Sequence, residues 1–295
     1  MTKPESTTDN LFQAEMESIS EFTHALDELW QQFDSLDIFE SLPQLPGVDA
    51  ARERLRQGES LCVELPAPQQ APSRRLLLEL LKLYEQHLPE RVVPVQQLRQ
   101  EFEHDASLAG GFVAEVLAND ARAIIQFAIK RQVPEDLITL LALHAGRPWR
   151  NYFKRNLPVE LEFKDWQQGK CPVCGHRPAM SHIDNSEGHR TLWCMHCDTR
   201  WSYQRIQCAF CGSREQEQLE ILHPEQSDRY RCQACGNCKR FIKEVRTDQT
   251  VADFPFDQIY LATGLLDQMG WEADYIQDSV LLLPESKPEK TKTNS

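Results

Sequence analysis

Nine of the ten cysteines of this chain fall between Cys171 and Cys238, and most of them come in pairs two residues apart. The pairs are Cys171/Cys174, Cys194/Cys197 and Cys208/Cys211, followed by a triplet at Cys232, Cys235 and Cys238. A two-residue gap folds the chain into a knuckle that aims both sulfurs at one ion. Gly175 and Gly212 follow their knuckles, where a positive φ is useful. Two knuckles complete a tetrahedral tetrathiolate, so four knuckles specify two closed metal sites. Disulfides suit a secreted protein, whereas nothing here resembles a signal peptide. A thioredoxin-like motif needs one CxxC entering a helix, not four in series.

Sequential pairing is the simplest topology. It puts Cys171, Cys174, Cys194 and Cys197 in the first site, and Cys208, Cys211 and a C-terminal pair in the second. Interleaved pairing has compatible spacing. In the triplet, Cys232/Cys235 followed by Gly236 and Cys235/Cys238 both obey the spacing, so one cysteine is spare. Four thiolates suit zinc and equally suit iron, which would permit one-electron chemistry. A full sulfur shell leaves no position for substrate water, which argues against Lewis-acid hydrolysis. His176, His189 and His196 are read as residues beside the thiolates or facing solvent. Trp193 and Trp201 are expected to cover the first site, and Cys62 to act as a small buried hydrophobe.

The elements that must position these cysteines divide the chain. Residues 1–10 read as a disordered leader and 11–165 as an all-helical domain. Residues 166–248 form the tandem metal-ribbon region, 249–284 a C-terminal helical segment and 285–295 a disordered tail. In the helical part, Phe12, Met16, Ile19, Phe22, Leu26, Leu29, Phe33 and Leu36 recur at helical spacing over 11–39. Further helices are expected over 49–57, 73–88 and 94–104. The pattern from Phe112 to Ala128 reads as one long buried helix. Pro134 opens the next, and Pro148 is placed in the first turn of another. Between knuckles, Thr191–Trp193, Trp201–Ile206 and Phe241–Val245 have strand character, and Leu281–Leu283 reads as a last docking strand. The fold class is therefore α+β: a helical N-terminal domain, two small rubredoxin-like or zinc-ribbon modules and a C-terminal helix.

The charge of −13 is unevenly distributed. Residues 170–247 carry 12 basic and 9 acidic side chains, a balance of +3, which leaves −16 elsewhere. Such a chain is repelled by phosphate backbones and anionic lipid, so nucleic acid is not the expected partner. Arg205, Arg229, Arg231, Lys239 and Arg240 make only a partial basic patch for a nucleic-acid-binding ribbon. No apolar run approaches the ~20 residues that span a bilayer. Reduced thiols indicate the cytoplasm. No HExxH, GxSxG or P-loop occurs, and the expected role is not enzymatic.

From Trp166 to Pro284 the residues resemble the FdhE family of formate dehydrogenase accessory proteins. The likeness runs through Gly169-Lys-Cys171-Pro-Val-Cys174-Gly, Cys194-Met-His-Cys197-Asp-Thr-Arg-Trp201 and Arg205-Ile-Gln-Cys208-Ala-Phe-Cys211. It continues at Cys235-Gly-Asn-Cys238-Lys-Arg-Phe241-Ile-Lys243, at Gly270…Tyr275…Leu281-Leu-Leu283 and, more loosely, at His144-Ala-Gly-Arg-Pro148. The resemblance implies a helical domain joined to two rubredoxin-like ribbons holding two metal ions, iron or zinc. It also implies a cytoplasmic maturation factor that binds the catalytic subunit of a respiratory formate dehydrogenase, without membrane insertion. Its register at the triplet makes Cys235 and Cys238 the ligands, and the apolar strand that follows can close the hairpin.

Overall fold

The structure is a computed structural model of the 295-residue chain. It describes residues 7–33, 38–41, 43–62, 65–225, 227–249, 251 and 254–277. The expected docking strand at 281–283 and tail at 285–295 lie outside these residues, as do the first six residues of the expected leader.

The N-terminal half is helical: α1 (Thr7–Gln32), α2 (Val48–Arg56), α3 (Gln70–His87), α4 (Val92–His104), α5 (Ala106–Leu117), α6 (Ala121–Arg131) and α7 (Glu135–Arg155). One apolar core unites α1 and α3–α7 through Leu26, Phe33, Leu80, Phe102, Phe112, Leu141 and Trp149. Two expectations about this half are corrected. The single helix read from Phe112 to Ala128 is two. Asn119 turns left-handed at φ 57°, and the Asp120 carboxylate then accepts the Ala123 N–H at 2.9 Å to cap α6. Pro148 does not open a new helix but lies inside α7. A mid-helix proline leaves the carbonyl four residues back without its amide partner. Here that carbonyl, on His144, accepts the indole N–H of Trp30 in α1 at 3.3 Å.

His144 is itself a buried stabilising element. Its Nδ1 lies 2.7 Å from the Tyr84 hydroxyl. Burial pushes the Tyr84 hydroxyl well up, so Tyr84 donates and the imidazole accepts. Burial, with Arg147 adding to it, pushes His144 down to about 3. The unfolded chain, with histidine near 6.5, therefore binds a proton that the folded one refuses. This contribution is fully present above about pH 6.5 and is lost as pH falls from there toward 3, by about 1.4 kcal/mol per unit. Denaturant titrations of the protein and of His144→Gln should show a shallower acid slope in the variant.

The C-terminal half folds twice in the same way: knuckle, hairpin, knuckle, strand. The strands are β1 (Met180–Asp184), β2 (Arg190–Cys194) and β3 (Thr199–Tyr203), then β4 (Leu219–Leu222), β5 (Tyr230–Cys235) and β6 (Arg240–Thr247). The two ribbons are not separate beads. They share one sheet of order β3-β2-β1-β6-β5-β4, antiparallel within each ribbon and parallel where β1 meets β6, from Met180↔Lys243 to Asp184↔Thr247. Helices α8 (Phe256–Ala262) and α9 (Gly264–Glu272) pack on this sheet. Gly270 of α9 comes so close to Phe241 that a Cβ there would meet the ring at 2.4 Å.

Charge is buried along the seam. The Arg190 Nε lies 3.1 Å from a Glu244 carboxylate oxygen, and both side chains are almost wholly removed from solvent. Arg231 donates to the other oxygen at 2.7 Å. Lys243 donates to Asp267 at 2.8 Å and to the Tyr260 carbonyl at 2.7 Å. The first half of α1 joins the two halves of the molecule: Phe12 and Met16 belong to the core of the ribbons and α8, not to the helical core. Gln258 donates to the Met16 carbonyl at 2.7 Å, and Phe12 meets the Tyr230 ring edge-on at 4.7 Å.

Candidate metal centres

All four knuckles are built alike. The residue after the second cysteine takes positive φ: Gly175 at 77°, Asp198 at 51°, Gly212 at 74° and Lys239 at 55°. In three of them its amide donates back to the carbonyl of the first cysteine, at 3.0 Å for Gly175, 3.1 Å for Gly212 and 2.8 Å for Lys239. Left-handed backbone is ordinary for glycine and accessible to aspartate, but costly for lysine. The fourth knuckle accepts it at Lys239. Gly236, which looked in the sequence like the glycine of a Cys232/Cys235 knuckle, has no positive φ. A Cβ there would instead press on the Gln218 side chain at 2.8 Å.

These turns gather the sulfurs into two groups, Cys171/Cys174/Cys194/Cys197 and Cys208/Cys211/Cys235/Cys238, each with all its Sγ atoms within 4.8 Å of one another. The pairing is sequential. Within the first group, Cys171–Cys197 are 3.5 Å apart, and Cys174 is 3.4 Å from both Cys194 and Cys197. In the second, Cys208–Cys238 are 3.7 Å and Cys211–Cys235 3.8 Å apart. A tetrahedral shell with metal–sulfur bonds of about 2.3 Å places its sulfurs about 3.8 Å apart. Both groups therefore fit one zinc or iron ion each. The sulfurs do not choose between the two.

The first centre is enclosed. Cys171, Cys194 and Cys197 are fully buried and Cys174 nearly so, among Leu61, Phe153, Trp166, Trp201 and Ile242. Burial pushes the Cys174 and Cys194 thiols well up. It acts the same way on Cys197, but hydrogen bonds from Cys171, Cys174, Cys194 and Thr199 outweigh it and hold that thiol well below its ordinary value. A bound divalent ion would take the place of the thiol protons in this cluster. The His176 Nδ1 lies 3.3 Å from the Cys174 sulfur, and its ring stacks on His196 at 3.9 Å. His189 is exposed and pairs with Glu187.

The sequence did not reveal what the helical half contributes. Ser60 donates to the Cys171 carbonyl at 2.8 Å, and the amides of Leu61 and Cys62 donate to the Pro172 and Val173 carbonyls at 2.9 and 2.8 Å. Cys62, half-buried with its thiol pushed up to about 11 by burial, thus lies against the first knuckle. Lys154 at the end of α7 donates to the Asp198 carbonyl at 2.7 Å. Such reach across the chain has no local signature. Trp201 lies with the first centre, as expected. Trp193 is corrected: the alternation of β2 sends it to the opposite face, where it stacks on Phe256 at 5.3 Å and donates to Asp198 at 2.8 Å.

The second centre is open on one side, with Cys211 exposed and Cys238 half-buried. The Phe210 amide donates to the Cys208 sulfur at 3.4 Å, and the Asn237 side-chain amide lies 3.7 Å from that of Cys211. Cys232 is apart from both centres. It is buried against α9, its thiol donates to the Leu266 carbonyl at 3.3 Å, and burial pushes it up to about 12. Cys232→Ser should retain two metal equivalents per chain, whereas Cys238→Ser should retain one, as elemental analysis of oxygen-free preparations would show. The opposite pattern would move the knuckle three residues back.

A helical domain joined to a double ribbon with two tetrathiolate clusters defines a fold of the rubredoxin-like or zinc-ribbon type with two candidate metal-binding sites. A family model described as the central domain of FdhE matches residues 170–205. An FdhE homologue from Aquifex aeolicus is 29% identical over 150 residues, which cover 50% of this chain and 50% of that protein. One from Edwardsiella ictaluri is 32% identical over 118 residues, 39% of this chain and 37% of that protein. The chain thus matches about half, or less, of the length of these curated relatives. The crystal structure of the FdhE protein from Pseudomonas aeruginosa superposes with a TM-score of 0.56 at 19% identity, covering 94% of this chain and 96% of that one. The chain is thus similar to FdhE proteins in its central cysteine region and shares its fold with one of them.

Proposed function

We propose that this protein is an accessory factor for a respiratory formate dehydrogenase, binding the catalytic subunit in the cytoplasm through a scaffold stiffened by two metal-tetrathiolate centres. The observation that carries this reading is the convergence of eight cysteines into two clusters inside a fold shared with an FdhE protein. Closed sulfur shells lack an open coordination position, which suits a binding scaffold rather than a hydrolase. Ten cysteines without a disulfide suit a reducing compartment, and among the described residues no helix is long and apolar enough to cross a membrane.

A nucleic-acid role finds less support. Of the basic residues that suggested it, Arg231 is paired with Glu244, Arg229 lies over the Tyr230 ring and Lys239 over that of Tyr275. These cations are engaged within the protein. Deletion of the gene should abolish respiratory formate oxidation without changing transcription of the enzyme, and the tagged protein should retain the immature catalytic subunit on a column. Normal formate oxidation in the deletion strain would refute the assignment. Salt-sensitive binding to RNA or DNA would replace it with the nucleic-acid reading.

A further inference from the structure

The two centres have the same ligands but not the same surroundings. In the first, all four sulfurs are buried, and a roof from the helical half is hydrogen-bonded onto the first knuckle. In the second, Cys208 and Cys235 are buried, Cys238 is half-buried and Cys211 faces solvent. Three exposed isoleucines lie on segments that lead into, pair with or bond to the knuckles of this centre. Ile206, two residues before Cys208, is 53% exposed; Ile221, on the edge strand β4, is 40% exposed; Ile276 is 63% exposed. Ile276 is tied to the last knuckle, its amide donating to the Lys239 carbonyl at 2.8 Å and its carbonyl accepting from Phe241 at 3.1 Å.

We infer that the second centre is a ligand-exchange site, at which an external thiol displaces Cys211 from the metal ion while the first centre holds its ion permanently. In this step the metal–sulfur bond to Cys211 breaks and a bond to the incoming sulfur forms. The proton lost by the incoming thiol ends on the released Cys211 sulfur, and no electron is transferred. Cys208, Cys235 and Cys238 keep the ion on the protein throughout. Exchange of this kind requires access of the incoming sulfur to the ligand being replaced, and access is what differs between the two centres. The exposed isoleucines of these segments favour a thiol carried on an apolar polypeptide segment over a small hydrophilic one. The inference needs both clusters loaded with metal but does not depend on which enzyme the protein serves.

The full-length chain loaded with zinc provides the test. Under limiting N-ethylmaleimide, peptide mapping should find Cys211 modified at least about tenfold faster than Cys171, Cys174, Cys194 or Cys197, because accessibility governs thiol reaction rates. A chromophoric chelator should report one zinc ion leaving with that modification and the second staying. Native mass spectrometry should detect an adduct that retains both zinc ions with a short peptide whose cysteine is flanked by leucines, and a weaker one with glutathione. Cys232→Ser should leave these results unchanged. Release of both ions at one rate, labelling that begins in the first centre, or absence of either adduct would overturn the inference. Equal or stronger binding of glutathione would remove the role given to the exposed isoleucines.

Discussion

Cys194→Ser is expected to cost one metal equivalent and the cooperative fold of the ribbon half together. The Cys194 sulfur is fully buried at the end of β2, and the cluster it completes is continuous with apolar side chains from both halves of the chain, among them Leu61, Phe153 and Ile242. Metal binding to such structural sites is worth about 10–16 kcal/mol, and it is folding energy because no site exists in the unfolded chain. A serine oxygen in that pocket is a poor ligand and an additional buried polar atom. The loss should exceed about 5 kcal/mol, beyond what most single substitutions cause. Thermal unfolding followed by tryptophan fluorescence should show Trp166, Trp193 and Trp201 exposed well before the helical signal is lost. Cys211→Ser, at the open centre, should also lose one ion but shift the transition much less. Equal effects at the two positions would contradict the contrast in burial.

Glu244→Leu is expected to be the most damaging substitution away from the cysteines. Glu244 lies on β6 beside the parallel junction, almost wholly buried, and its carboxylate faces Arg190 from one ribbon and Arg231 from the other. Ser181, directly across on β1, donates to it at 3.0 Å. Arg190 also donates to the Gln207 carbonyl at 2.9 Å, one residue before the second centre begins. Removing the carboxylate strands a guanidinium that cannot shed its proton, at a cost of about 3–5 kcal/mol. The double variant Glu244→Leu with Arg190→Met should recover much of this, since replacing a whole buried pair by apolar groups is often neutral. Urea denaturation of the two variants measures the difference. If the double variant were no more stable than the single one, the pair would not be the source of the loss.

The apolar spacing of Leu76, Leu77, Leu80, Leu81 and Tyr84 specifies α3 and its buried face without help from the rest of the chain, because helical periodicity is a local property. The cysteine spacing is local in the same sense. Two sulfurs three positions apart, followed by a residue able to turn left-handed, form half a metal site wherever the other half comes from. That logic supplied the helical domain, the ribbons and the eight converging sulfurs. It was silent or mistaken wherever the partner lies far along the chain. Pro148 reads as a helix start until Trp30 is seen to take up the freed His144 carbonyl. The pattern from Phe112 to Ala128 reads as one helix until Asn119, whose side-chain oxygen accepts from Arg150 at 2.9 Å, is seen to break it.

The register of the last knuckle lies between these cases. Glycine grammar favoured Gly236, but the backbone turns left-handed at Lys239. The strand pairing explains why: Cys235 is still within β5, opposite Arg240 of β6, so the reversal must come after Cys238. Fusion of the two ribbons into one sheet had no sequence signal at all, since an edge strand carries the same residues whether or not another strand lies beside it. Burial made the remaining decision. Eight cysteines of one type and one spacing became an enclosed centre and an open one, because Ser60–Cys62 and α7 pack over the first set of knuckles while Cys211 is left facing water. Spacing fixes which atoms can meet an ion, and only the packing of distant segments fixes what else can reach it.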